Sequence, residues 1–563
     1  MIDYKKILVE LLKMHFPEDV DLESLIEVPP NPDMGDFAIP MFQLSKQMKK
    51  SPVAIAAELA VTIEPKPYFT KVEAMGPYLN FFVYMPIMAK ELINSIVENP
   101  EGFGSSKLGN GKKVLVEFSS PNIAKPFHIG HIRSTVIGHA LYNIYKTLGY
   151  ETVSINHLGD YGTQFGMLIT AYKKWGDKKV VEADPIRELL KLYVRINEEA
   201  ENNDEVKEES RRWFKALEEG NSEAVELWQW FREVSLDEFS KVYNMLGIEF
   251  DSYAGESFYS DKMPAVIDEL EAKGLLEESD GAYVVDIKEK NIPPVMIIKS
   301  DGSTIYTTRD IAAAFYRKNH YDFYKNIYVV GSQQSLHFNS WFKVVELMGY
   351  PWAKDCIHVP FGMVSLEDGT LSTRRGKVLF LEDVLNQAVD NAYEIIKERG
   401  SHIEDEEGLA RQVGIGAVIF QELFNQRIKD YVFSWDRALS FDGETGPYVQ
   451  YTHARIGSLL SKGEFKQGEF DENLLDGEAE RMLLQAIYRF PQVIIDSHIK
   501  YEPFFITRHI VEIAKLFNAF YNQTPINVED YQLKNARQHL AYATKVAISN
   551  GLKILGIEAP ERM

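Results

Sequence analysis

KVLVEFSSPNIAKPFHIGHIRSTVIGHALYNIYKTLGYETVSINH, residues 113–157, is the stretch whose reading decides the fold. Lys113–Phe118 is a short apolar run with β-branched residues, the pattern of a buried strand. A loop follows, and a helix is expected from near Ile129 through IRSTVIGHALYNIYKTLG, with Gly149 placed to end it. Glu151–His157 reads as the next strand. A strand–helix–strand unit of this kind implies a right-handed crossover in a parallel sheet. The loop Pro121–His131, PNIAKPFHIGH, therefore lies at the carboxyl end of a strand. Open parallel sheets bind ligands there, and the first turn of the following helix offers free N–H groups to an anion. His128 and His131 are three apart and share one face of that turn. Gly130 lets a flat ring or a phosphate approach the backbone, and Lys125 adds a positive charge. Spacing alone leaves the histidines open between metal ligation, phosphate binding and polar capping. No third His or Cys lies nearby, so metal ligation is the weakest of the three.

Working outward, the chain of 563 residues is longer than one core supports, and several domains are expected. Its 45% hydrophobic and 26% charged residues are ordinary for a globular protein. The formal net charge of -22 argues against indiscriminate nucleic-acid binding but leaves room for a local basic groove. The single cysteine, Cys356, excludes an internal disulfide and a multi-cysteine zinc site, and its apolar surroundings suggest a buried small hydrophobe. No apolar run approaches the roughly 20 residues of a membrane span, and the N-terminus reads as a first helix, so a cytoplasmic location is expected.

The expected organisation is a multi-domain α/β protein. Residues 1–100 read as an α+β module, with a helix over Tyr4–Phe16 and a strand over Tyr78–Tyr84. After the Gly, Ser and Lys-rich linker 101–113, an α/β domain spans 111–440. Charged helical sequence at about 167–295 interrupts it, and Trp213, Trp228 and Trp230 there read as packing residues. The α/β pattern resumes with strand Asn326–Val330, the turn GSQQSLH, helix Phe338–Gly349 and strand Ile357–Val364. Residues 441–563 read as helical, with segments over 481–490, 493–500, 504–521 and 538–555.

PNIAKPFHIGH resembles the His-Ile-Gly-His motif of class I aminoacyl-tRNA synthetases, and its flanks resemble the arginyl-tRNA synthetase family in particular. The similarity extends through EFSSPNIAKPFHIGHIRSTVIGHAL, NHLGDYGTQFG, YTTRDIAAA, GSQQSLHF, FGMVSLEDGTLSTRRGKVLFLEDVL, TGPYVQYTHARI and the C-terminal NGLKILGIEAPERM. It implies a Rossmann-like catalytic domain, an N-terminal domain at the tRNA elbow and an all-α anticodon-binding bundle. It also implies attack of the arginine carboxylate on the α-phosphate of ATP, which enters with Mg2+, then transfer to tRNA(Arg). By resemblance His128 and His131 donate to the phosphates and Gly130 lies under the adenine. Phe361, Gly362, Met363 and Val364 line the adenine pocket, and Gly331, His337 and Ser372 complete the ATP site. The second family motif, Lys-Met-Ser-Lys-Ser, is altered to Thr370-Leu371-Ser372-Thr373-Arg374, leaving Arg374, Arg375 and Lys377 as cations. Lys125 is the candidate to replace the missing lysine. No structural zinc is implied.

A guanidinium pocket needs carboxylates for bidentate pairing and an aromatic face. The resemblance supplies Glu117 and Asp310 for the guanidinium with Tyr306 beside it, and Asn122 and Gln334 for the amino and carboxylate end. On the RNA side, Met34–Lys50, with Phe37, Phe42 and three lysines, is the elbow candidate, although its aromatics suit a core. Tyr448, Tyr451, Arg455, Arg537 and His539 are the anticodon candidates. The rival readings are a class I synthetase of another specificity and a non-catalytic tRNA-binding paralogue. Glu117 with Asp310 disfavours an acidic substrate, and the intact histidine motif disfavours loss of catalysis. No amphipathic surface is left unassigned, which points to a monomer without membrane attachment.

Overall fold

A computed structural model describes residues 2–16, 20–29, 31–289, 292–300, 302, 304–366, 379–398 and 403–563. The chain forms two compact units. The first comprises Met1–Phe103, Arg455–Phe490 and Glu512–Ile548, and the second Gly104–Ala454, Pro491–Val511 and Ser549–Met563.

In the first unit, Asp3 caps the helix Tyr4–Leu12 by accepting from the Lys6 amide. This helix ends before the expected Phe16. Strands β1 (Phe37–Pro40), β2 (Phe69–Met75) and β3 (Tyr78–Val83) form an antiparallel sheet in the order β1-β3-β2. Only β3 is apparent from alternation. Tyr4, Leu8, Phe37, Phe69 and Phe81 build one core with this sheet. Buried Asp36 accepts from the Val83 amide at 2.7 Å and pairs with Arg481 Nη2 at 3.1 Å. Within Met34–Lys50, Phe37 is buried as its pattern suggests, whereas Phe42 is exposed with its ring edge-on to Tyr78.

The second unit carries a parallel sheet of β4 (Lys113–Glu117), β5 (Glu151–Ile155), β9 (Lys325–Gly331) and β10 (Cys356–Phe361), in the order β10-β9-β4-β5. The crossover helix Ile132–Thr147 follows a short 3-10 turn at Ile129–His131. Gly138 lets this helix sit on the sheet, since a Cβ there would come 2.1 Å from Phe118 Cβ. Gly149, at φ +81, turns the chain out of the helix. After β5 the chain returns on the other side of β4, so β4 and β9 flank a topological switch point.

Between these halves lies the inserted block. Five helices run from Thr163–Trp175 to Ser222–Leu246, followed by Met263–Ala272. A three-stranded antiparallel sheet completes it, β6 (Glu277–Ser279), β7 (Ala282–Val285) and β8 (Val295–Ile298), which helical periodicity does not foretell. Trp228 is more than packing, because its Nε1 donates to the Asp160 carbonyl at 2.8 Å.

The strand expected over Ile357–Val364 breaks in two. β10 ends at Phe361, and β11 (Val364–Leu366) pairs in parallel with β12 (Tyr431–Phe433). Gly362 is the break point, with its amide donating to the Arg427 carbonyl at 2.8 Å. The helices Leu381–Glu398 and Glu406–Leu423 follow. The C-terminal helices are Gly446–Lys462, Glu478–Lys500, Phe504–Gln523 and Tyr531–Ile554. The two segments expected at 481–490 and 493–500 form one helix that contains Pro491. Fully buried Phe490 and Ile494 anchor both sides of the proline, so packing carries the helix through it. Cys356 is buried, and burial pushes its thiol up to about 12, consistent with an inert packing residue. Among the described residues, no helix is long and apolar enough to cross a membrane.

Candidate active site

Three strands of the parallel sheet end side by side and present Glu117 (β4), Gly331 (β9) and Phe361 (β10). Past β4 the loop takes a strained path. Ser119, Ser120 and Ala124 all have positive φ, at 69°, 48° and 56°. Hydrogen bonds from two helices hold that path. The Ser119 amide donates to Ser134 Oγ at 3.0 Å, and Ser119 Oγ lies 2.8 Å from Tyr243 Oη. The Ala124 amide donates to Ser235 Oγ at 2.9 Å. Ser235 and Tyr243 belong to the inserted helix Ser222–Leu246, so the insertion shapes the loop.

His128 and His131 close a reciprocal cap. The Gly130 amide donates to His128 Nδ1 and the His128 amide to His131 Nδ1, each at 3.1 Å. His128 Nδ1 accepts an amide proton, which leaves that ring's own proton on Nε2 as a donor, whereas His131 Nδ1 also lies 3.2 Å from the His128 carbonyl, so either of its nitrogens can carry the proton. Burial lowers the His128 pKa and, aided by His128 itself, pushes His131 down to about 3, so both rings are neutral. The loop is also tied to the chain beyond the second motif. The Ile129 amide donates to the Leu379 carbonyl at 3.2 Å and the Leu381 amide to the Phe127 carbonyl at 2.9 Å. Ser372, Arg374 and Arg375 lie outside the described residues. Lys125 is half-buried, with Nζ 5.7 Å from the Tyr193 ring centre. Burial lowers its pKa, and Glu256 partly opposes that.

The stretch Phe361–Val364 is clamped from both sides. Arg133, two residues past His131 and fully buried, donates through Nη1 to the carbonyls of Gly362 at 3.0 Å and Lys429 at 2.8 Å. Its Nε lies 3.3 Å from Glu422 Oε2, and Tyr431 donates to the other oxygen of Glu422. On the far side Met363 N donates to Asp430 Oδ1 at 2.6 Å. A Cβ on Gly362 would lie 2.7 Å from the Lys429 carbonyl carbon, so only glycine passes. Phe361 is buried, Met363 is exposed and Val364 begins β11. Neither Arg133 nor the segment 427–431 is singled out by sequence reasoning, since nothing in FNQRIKDYVF signals a role.

Four carboxylates, Glu117, Glu256, Asp160 and Asp310, each have a partner. Glu117 Oε2 lies 2.6 Å from Arg317 Nη1, Glu256 Oε2 3.0 Å from Arg309 Nη1, and Asp160 Oδ2 3.2 Å from Arg232 Nε. Asp310 Oδ2 instead meets His337 Nε2 at 2.6 Å. His337, expected at the ATP site, is therefore held against Asp310, expected at the arginine site, with its ring 4.8 Å from that of Tyr306. Tyr306 begins the helix Tyr306–Tyr321 and is 59% exposed, and Asp310 stands one turn on. Buried Tyr328 lies in the field of Glu117, Asp310 and Arg317 together, so these groups share one neighbourhood. Burial raises the Glu256 pKa, and Arg309 opposes it. Asn122 is exposed and bridges to Gly159, where a Cβ would come 2.0 Å from Asn122 Oδ1. Gln334 is exposed on the turn Ser332–Gln334 after β9. At Gly331 a Cβ would meet Gln333 Oε1 at 2.7 Å. Arg317 is absent from the sequence reading, although it follows Asp310 by two helical turns and shares its face.

The anticodon candidates differ in accessibility. Tyr448 and Tyr451 are half-buried on the helix Gly446–Lys462. Arg455 donates to Asn518 Oδ1 at 2.8 Å. Arg537 donates to the Pro525 carbonyl at 2.8 Å and lies 3.6 Å from Glu480. His539 is fully buried and stacked on Phe470, and contacts to the Gly468 amide and the Asn535 carbonyl occupy both ring nitrogens. As folded, it presents no edge to an RNA base.

Residues 92–435 match the family model "tRNA synthetases class I (R), catalytic domain". Residues 449–563 match the DALR anticodon binding domain and residues 3–83 the arginyl tRNA synthetase N-terminal domain. The chain is 57% identical over 566 residues to an arginine–tRNA ligase of Halothermothrix orenii, covering 100% of both chains. Over 567 residues it is 57% identical to one from Clostridioides difficile, again covering 100% of both. Among solved structures, the arginyl-tRNA synthetase of Thermus thermophilus superposes with a TM-score of 0.84 at 24% identity, covering 100% of this chain and 99% of that one. That of Plasmodium falciparum gives 0.80 at 24% identity, covering 100% and 98%. At that identity the superpositions speak for the fold. With a catalytic-domain match over most of its length and end-to-end similarity to curated relatives, the chain belongs to the arginyl-tRNA synthetase family.

Proposed function

We propose that the site at the ends of β4, β9 and β10 activates L-arginine with ATP and transfers the arginyl group to tRNA(Arg). The reaction is that of the family. The residue roles rest on the geometry above, and the reciprocal cap of His128 and His131 carries them furthest. In the first step an arginine carboxylate oxygen attacks the α-phosphorus of ATP, the bond to the β-phosphate bridging oxygen breaks, and pyrophosphate leaves. In the second step the terminal ribose hydroxyl of the tRNA attacks the arginyl carbonyl and AMP leaves. No enzyme nucleophile is needed, so positioning and charge stabilisation supply the rate.

His128 and His131 serve as neutral ring N–H donors to the phosphates. ATP enters as its magnesium complex, and Lys125, Arg374 and Arg375 supply cationic stabilisation of the leaving group. Gly130 and Phe361–Val364 receive the adenine, and Gly331 and Ser372 flank the nucleotide. Asp310 and Glu117 take the guanidinium beside Tyr306, while Asn122 and Gln334 take the α-amino and carboxylate groups. His337 contributes by holding Asp310. Residues 1–100 engage the tRNA elbow, 111–440 catalyse and 441–563 read the anticodon, with Tyr448, Tyr451 and Arg455 as the nearest candidates. The protein acts as a cytoplasmic monomer.

Pyrophosphate exchange run with each of the twenty amino acids, with and without tRNA, tests this reading. Exchange is expected with arginine alone and only with tRNA present. Exchange with another amino acid would refute the specificity, and full exchange without tRNA would refute the tRNA dependence.

A further inference from the structure

We infer that Arg317 is a positioning residue for arginine recognition, which acts by holding Glu117 as an acceptor of fixed geometry and balanced charge. The inference rests on the reading that Glu117 and Asp310 receive the substrate guanidinium. Arg317 is fully buried on the helix that also carries Tyr306 and Asp310. Its Nη1 lies 2.6 Å from Glu117 Oε2 and its Nη2 3.3 Å from His157 Nδ1. The guanidinium carbon lies 5.5 Å from the Tyr328 ring centre and 5.9 Å from that of Tyr259.

A buried ion pair returns little net stability, and a well-packed apolar pair often serves a core as well or better. This one stands where β4 ends, at the switch point of the sheet, which is a place for ligands. Its effect follows from counting charges. Glu117, Glu256 and Asp160 are each paired with an arginine, whereas Asp310 is paired with His337. Among the described residues, Asp310 is thus the one of these four carboxylates with no arginine partner, and it is left to meet a cationic side chain.

Glu117 then contributes shape. With Oε2 committed to Arg317, Oε1 remains as a directed acceptor for one N–H of a planar fork. A lysine ammonium can satisfy Asp310 as a point charge, but it has no rigid second arm for Glu117. Arg317 therefore helps the site tell guanidinium from ammonium.

The test uses the full-length enzyme with tRNA in pyrophosphate exchange, comparing Arg317→Met, Arg317→Lys, Glu117→Gln and the double variant Glu117→Gln/Arg317→Met. Arg317→Met is expected to raise the arginine KM by about tenfold or more while the ATP KM stays within about twofold. Arg317→Lys, which keeps a cation beside Glu117, should rescue part of that loss. In the Glu117→Gln background, Arg317→Met should add less than about twofold, because its effect runs through the missing carboxylate. Equal rises in the KM of arginine and ATP, or an undiminished effect in that background, would mark Arg317 as merely structural and overturn the inference. If Arg317→Met does not fold, Arg317→Lys decides, since an unchanged arginine KM overturns the inference and a several-fold rise confined to arginine supports it. If Glu117→Gln itself leaves the arginine KM unchanged, the assignment of Glu117 to the substrate fails first. If Glu117→Gln raises it and Arg317→Met does not, only the role of Arg317 fails.

Discussion

Replacing Glu422 by glutamine gives a quantitative test of the buried cluster behind Phe361–Val364. Glu422 is fully buried between Arg133 and Tyr431. Burial pushes its pKa from the usual 4.5 up to about 7, even though Arg133 and Tyr431 act to lower it. A carboxyl group whose pKa rises on folding contributes stability that is fully present below its unfolded pKa and is lost as pH rises through the folded one. The window is therefore about pH 4.5 to 7. At ~1.4 kcal/mol per tenfold change in proton affinity, the wild-type protein should lose ~3 kcal/mol relative to Glu422→Gln across that window. Glutamine copies the shape of the protonated acid, so the two proteins should be nearly equally stable near pH 4.5. Every other titrating group is common to both, and the difference isolates this one. Urea midpoints measured for both proteins at intervals from pH 4.5 to 8 give the comparison. Parallel profiles would refute the reasoning, and so would a wild-type advantage that grows with pH.

Lys125→Ala should lower the turnover of adenylate formation by orders of magnitude and barely change the arginine KM; near-normal turnover in pyrophosphate exchange would remove Lys125 from the phosphate end. Gly159→Ala should push Asn122 aside, since the new Cβ would lie 2.0 Å from its Oδ1 and 3.3 Å from its Cα. Losing one hydrogen bond to a charged ligand group, ~1.5–3 kcal/mol, predicts an arginine KM roughly ten- to hundredfold higher. An unchanged KM at an unchanged melting temperature would show that Asn122 does not hold the substrate.

The parallel sheet and the first motif were legible because they depend on local patterns. A β-branched apolar run, a loop with two histidines and a glycine-ended helix each announce themselves within twenty or so residues. β1 was not legible because its partner β3 lies far along the chain, and β2 and β6–β8, although paired with their neighbours in sequence, were not legible because they are short or weakly alternating. Pro491 suggested two helices, yet burial of Phe490 and Ile494 keeps one. In the site, His128, Gly130, Asn122 and Asp310 could be proposed from motif and spacing. Arg133, Arg317 and Glu422 could not, since each pairs with a group more than one hundred residues away. Long-range pairing leaves no trace in the spacing of one chain.

The neutral histidines sharpen where positive charge must come from. His128 Nδ1 accepts from the Gly130 amide and His131 Nδ1 faces both the amide and the carbonyl of His128, so the neutral rings offer directed donors and no charge. Burial opposes an imidazolium at either position, and at His131 it outweighs the opposing hydrogen bond to the His128 backbone. Charge that grows on the leaving pyrophosphate must then be met by other groups. Lys125 is the described cation in the loop, and its depressed pKa reflects a partly desolvated ammonium, where a charge interacts more strongly than in water. Arg374 and Arg375 stand in the second motif where lysines would be usual. The chain directly after that motif, at Leu379–Leu381, is hydrogen-bonded to Phe127 and Ile129 on either side of His128. The segment Leu379–Leu381 is thereby fixed to the first motif, and a shift at either one is carried to the other through two backbone hydrogen bonds.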